Sequence, residues 1–141
     1  LEDKTTKPPT YSSTAWAFVE GNPYFTLEMQ SSNMWNFRLN DLMATNADGS
    51  WKVFTTLSVI GRLYNQDVTD SMVNVVWSRD SGNPTADNKW ALSHANCGLS
   101  VDLTYEDLGG AAFKIGSVTF RCDAEIKDGE TMYSEDVSVS F

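Results

Sequence analysis

Over most of this chain apolar and polar residues alternate with a period of two. Val118, Phe120, Cys122, Ala124 and Ile126 interleave with Thr119, Arg121, Asp123, Glu125 and Lys127, which puts the two sets on opposite faces of a half-buried strand. Leading from Cys97, the residues Leu99, Val101, Leu103 and Tyr105 alternate in the same way with Ser100, Asp102, Thr104 and Glu106. The pairs and triplets Trp16 and Phe18, Phe25, Leu27 and Met29, and Trp35, Phe37 and Leu39 repeat the pattern, and residues 53–63 have the Val, Thr, Phe and Ile content of a strand. Val73, Val75 and Trp77 end before the turn signal of residues 79–84, and Asp128-Gly129 separates the Cys122 strand from Val137, Val139 and Phe141, predicting a hairpin with a primed turn. Trp90 and Leu92 share the phase that leads to Cys97, with residues 85–89 as a polar loop before them. About eight or nine short strands at this spacing predict an all-β fold, an antiparallel two-sheet β-sandwich. The one helical candidate, residues 40–47, is short and polar.

Residues 1–13 carry Pro8 and Pro9 and no apolar period, so they read as an extended N-terminal tether, with residues 14–141 forming a single sandwich domain. Inward phases at both Cys97 and Cys122 predict that the two are bonded, which in turn predicts an oxidising compartment, secreted or on a cell surface. In the last strand the inward set Val137, Val139 and Phe141 carries Glu135 with it. A buried carboxylate without a partner is costly, so a β-bulge or an early sheet edge is expected near residues 133–136.

Composition adds two constraints. A hydrophobic fraction of 41% with 12% aromatic residues is enough apolar surface for a folded core. The net charge is −9, from 19 acids and 10 bases, and the stretch after Ser100 holds nine of those acids against Lys114, Arg121 and Lys127. Such a surface repels phosphate backbones and anionic lipid, so no nucleic acid partner and no direct membrane insertion are expected.

The run Val73, Val75, Trp77 and the later Val118, Phe120, Cys122 resemble the third and sixth strands of immunoglobulin-like domains. The resemblance implies a core tryptophan at Trp77 and places Phe120 where the family commonly has a tyrosine. It also implies a first cysteine within residues 53–63, which contain none; Cys97 instead follows the tryptophan, 25 positions before Cys122. A jelly roll or another Greek-key sandwich fits the same strands.

Chemistry-bearing motifs are sparse. The single histidine, His94, adjoins Ser93, and neighbours on a strand point to opposite faces, so no catalytic dyad is expected. Two cysteines cannot close a zinc site, and Gly109-Gly110 opens no phosphate-binding helix. Asp102 with Glu106 and Asp123 with Glu125 share strand faces but read as solvated surface, while Asn46, Asp48 and Ser50, or Asp67 and Asp70, offer hard oxygens without a calcium-loop spacing. No catalytic residue, metal or cofactor is assigned. Of the aromatic residues, Trp35 and Trp77 follow inward phases, whereas Trp51, Tyr64 and Trp90 are the candidates for an exposed ligand-binding set. The expected function is an extracellular, non-catalytic recognition or adhesion module whose partner is a protein, a second copy of this chain included. The alternatives are a carbohydrate-binding module using those three rings, or a structural component of a viral or bacterial surface assembly.

Overall fold

The structure, a computed structural model, describes residues 24–33 and 35–141. The tether over residues 1–13 and the Trp16/Phe18 alternation lie outside the described residues. Two antiparallel sheets form a sandwich, each built around one long central strand. In the first, β2 (Thr55–Leu63) pairs with β1 (Phe25–Ser31) from Phe25↔Leu63 to Ser31↔Leu57. Its other flank is shared end to end by β3 (Gln66–Asp67) and β5 (Ser100–Leu103). In the second, β6 (Thr119–Asp128) lies between β4 (Val73–Asp80) and β7 (Thr131–Ser140). Among the described residues two α-helices interrupt the strands, α1 (Leu39–Leu42) and α2 (Pro84–Ser93).

The core is what the alternation dictates. Val118, Phe120, Cys122, Ala124 and Ile126 are all buried, as are Leu57 and Val59 of β2 and Val101 and Leu103 of β5. These inner faces meet on Trp77, which stands opposite Cys122 in the β4–β6 ladder and donates its indole N–H to the Gly98 carbonyl at 2.8 Å. Gly61 on β2 is fixed by packing: a Cβ there would run into the Met72 side chain and the Phe25 ring. Both hairpin turns have two residues. Tyr64 and Asn65 take φ of 51° and 67°, the pattern of a type I′ turn, while Gly129 at 62° opens the two-residue β6–β7 turn in the manner of type II′.

Helix α2 corrects the strand expected around Trp90. Asn83 caps it, its Oδ1 accepting from the Ala86 N–H at 3.2 Å, and Pro84 occupies the first helical position, where a missing N–H costs nothing. Positions two apart diverge on a helix, so Trp90 is buried while Leu92 is 78% exposed. The helix is held to β4 by the Arg79–Asp87 pair at 2.7 Å, whose side chains are 8% and 12% exposed. Burial pushes the Asp87 carboxyl up, but hydrogen bonds from Ser81 and the Arg79 guanidinium outweigh it and hold the group below its ordinary range.

The disulfide is also corrected: both Cys97 and Cys122 are free thiols. Cys97 belongs to the turn that follows α2, its N–H donating to the His94 carbonyl, so strand parity never applied to it. The neighbours of Cys122 in the sheet are Val137 and Trp77, and the indole of Trp77 reaches the turn that carries Cys97. Burial raises both thiols, Cys122 to about 12. With no bond formed, the pairing that pointed to an oxidising compartment is gone.

Two smaller expectations shift. The β6–β7 ladder runs unbroken from Thr119↔Ser140 to Asp128↔Thr131, and the bulge lies instead on β4 between Val73 and Val76, where Asn74 turns to φ 54° and bonds Glu125 at 2.6 Å. Glu135 is half-buried on β7, an edge strand of its sheet, which relieves the cost of enclosing it. Trp35 is 47% exposed because residues 35–38 form no strand and their alternation has no face to follow.

Truncation to alanine should separate the tryptophans. Trp77→Ala and Trp90→Ala should each cost on the order of 3–5 kcal/mol in denaturant unfolding, whereas Trp51→Ala, 36% exposed, should cost well under half as much. A stable Trp77→Ala protein would contradict this core.

Candidate functional site at a tyrosine-lined end

Three tyrosines converge where β1 begins, β2 ends and the β6–β7 hairpin turns. Tyr24 precedes β1, Tyr64 starts the type I′ turn, and Tyr133 lies opposite Ile126 near the start of β7. The ladder between β1 and β2 sets the first two side by side, and the Tyr64 N–H donates to the Tyr24 carbonyl at 2.8 Å. The Tyr24 ring is 5.3 Å from that of Tyr64 and 6.0 Å from that of Tyr133, inclined by 46° and 53°. Tyr24 is 49% and Tyr64 52% exposed.

The left-handed backbone at Tyr64 turns its side chain toward the hairpin, where its hydroxyl donates to Asp128 Oδ2 at 3.0 Å. Hydrogen bonding with Tyr133 and with the Asp128 carboxylate holds the Tyr64 phenol well above its ordinary value. Tyrosine rings next to a carboxylate give this end aromatic surface with polar tips, suited to contact.

The other sequence candidates lie apart. Trp51 packs edge-on against Tyr105 with centroids 4.9 Å apart, at the far end of nine-residue β2 from Tyr64, on the order of 30 Å away. Trp90 is corrected from exposed to buried: it packs on Phe120 and donates to Asp107 Oδ1 at 2.8 Å. Trp51, Tyr64 and Trp90 therefore share no platform. Tyr24 and Tyr133 were not among the sequence candidates; the readable signal is a tyrosine at a strand end beside a two-residue turn.

Ser93 and His94 do meet, against expectation, because they end a helix rather than sit in a strand. Ser93 Oγ is 2.9 Å from His94 Nδ1, and both groups reach the Trp90 carbonyl, at 2.9 and 2.7 Å. A carbonyl only accepts, so Nδ1 carries the proton and is not a base toward Ser93. Both side chains close the last turn of α2, and the imidazole stacks on Trp90 at 4.0 Å.

Four of the acidic candidates have structural partners. Asp48 Oδ1 accepts from the Ser50 N–H and hydroxyl, Asp67 Oδ1 from those of Thr69, Asp102 from Thr56, and Asp123 from Arg121. Among the described residues no three His, Cys, Asp or Glu side chains are grouped to hold a metal ion, and no helix is long and apolar enough to cross a membrane.

Raising a phenol's pKa on folding stabilises the protein while both states are neutral, and the gain is lost as pH climbs past the unfolded value of about 10. Wild type should therefore lose stability in that alkaline range more steeply than Tyr64→Phe, and absorbance titration should show one late phenol that this variant lacks. Identical alkaline profiles would contradict the hydrogen-bonded cluster.

Compared with known proteins, the chain matches no family model, no curated protein and no solved structure.

Proposed function

We propose that this chain is a non-catalytic recognition module of immunoglobulin-like topology that binds a protein partner through its tyrosine-lined end. Strand order supports the fold part of this reading. In an immunoglobulin-like sandwich the first, second and fifth strands share one sheet, and the third, sixth and seventh share the other. Here β1, β2 and β5 form one sheet and β4, β6 and β7 the other, with α2 at the chain position of the family's fourth strand and β3 as a short addition after β2. Trp77 then stands on the third strand and Cys122 beside it on the sixth, with Leu57 and Val59 on the strand where the family has its first cysteine.

The observation that carries the function is the exposure of Tyr24 and Tyr64 with Tyr133 at one pole. It is the pole of the second-to-third and sixth-to-seventh strand connections, whose loops serve as binding surface in variable domains. Tyrosine offers large contact area at low entropic cost, which is why it is concentrated in binding loops. The scattered positions of Trp51, Tyr64 and Trp90 favour this over a stacked sugar platform.

Selection from a displayed random peptide library, run on wild type and on a Tyr24→Ser/Tyr64→Asn variant, tests the reading. Asparagine tolerates the left-handed turn position, so the variant should keep its fold. Peptides enriched on wild type should bind the variant at least about tenfold more weakly, the scale of a lost hot spot. Peptides indifferent to both substitutions would overturn it, as would a glycan array showing sugar binding that depends on Trp51.

A further inference from the structure

Building on that reading, we infer that the partner segment presents a cationic side chain, lysine or arginine, to the tyrosine rings beside Asp128. Aromatic faces are electronegative, and a cation over them next to a carboxylate gains from both. The rings of Tyr24, Tyr64 and Tyr133 are inclined rather than stacked flush, those of Tyr24 and Tyr64 are about half exposed, and Asp128 stands beside them on the Tyr64 hydroxyl. One carboxylate oxygen of Asp128 takes the Tyr64 hydroxyl; among the described residues the other accepts no protein donor.

Charge at this end is unbalanced toward acid. Glu130 lies in the hairpin turn and Asp67 on β3, next to the type I′ turn. Among the described residues the nearby bases are Arg62, held by Glu28 at 2.7 Å, and Lys127. The outer face of the second sheet makes the contrast. Its shallow concavity of about 560 Å³ is also acidic, with Arg121 set 2.7 Å from Asp123 and 2.8 Å from Asp136, but no aromatic ring lines it. What sets the tyrosine end apart is its aromatic rings beside a carboxylate, and a net charge of −9 draws cationic segments toward the molecule in general.

The probe is a short Arg-Gly repeat peptide, compared with the same peptide carrying citrulline, which keeps the shape and removes the charge. Amide and aromatic NMR shifts of wild type should move saturably at Tyr24, Tyr64, Asp128, Gly129 and Tyr133 with the arginine peptide and stay unmoved with citrulline. Affinity should fall about two- to fivefold in Asp128→Asn, similarly in Tyr64→Asn, and further as salt rises. Shifts concentrated at Asp123, Glu125 and Asp136 would overturn the inference as non-specific attraction to acid. Library peptides that depend on Tyr24 and Tyr64 yet carry no excess of lysine or arginine would overturn the inference and leave the recognition reading standing. A library that yields no tyrosine-dependent peptide would defeat both.

Discussion

A sandwich holds only if something joins its two sheets, and here that joint is the indole of Trp77. The side chain is 1% exposed, and burying its area is worth more than any polar contact in the molecule. Its N–H, however, would be costly to bury unpaired, and the partner it finds is the Gly98 carbonyl in the turn that feeds β5. One residue of the second sheet therefore fixes where the chain enters the first. That requirement also explains Gly98, whose φ of 73° lets the turn present its carbonyl inward, and the free thiols, since the turn is anchored by an indole rather than by sulfur.

The same joint explains why a helix can take the place of a strand between β4 and β5. With the turn after it pinned by Trp77, α2 needs only to lie against β4, and the nearly buried Arg79–Asp87 pair and Trp90 hold it there. Asp107 ties the far side, accepting the Trp90 indole through one oxygen and the Thr104 N–H through the other. The polar contacts of Ser93 and His94 fall inside this arrangement, which is why an arrangement with the residue types of a nucleophilic site serves instead to end a helix.

Strand parity is legible where an extended segment keeps one face on the core, whatever its length. β6 and β5 were readable from alternation because each has one face on the core, and Trp77 for the same reason. Parity misled where the backbone was not extended. Asn83-Pro84 signals a turn and a helix start equally, so the phase of Trp90 and Leu92 suggested a strand, and the same error carried Cys97 onto an inward face it does not occupy. Trp35 failed likewise, in a segment with no strand. Tyr64 is a candidate on sequence grounds, but its neighbours Tyr24 and Tyr133 come together only through the β1–β2 and β6–β7 ladders, which no local pattern encodes.

A sandwich joined at Trp77 presents its tyrosine end without deforming. Hydrogen exchange of the indole protons, followed by NMR, tests this most directly. The Trp77 and Trp90 indole protons, both buried and hydrogen-bonded, should exchange only through large-scale opening and rank with the slowest amides of β2 and β6. Those of the partly exposed Trp35 and Trp51 should exchange rapidly. If the Trp77 proton exchanged with the rapid pair, the two sheets would not be joined as described.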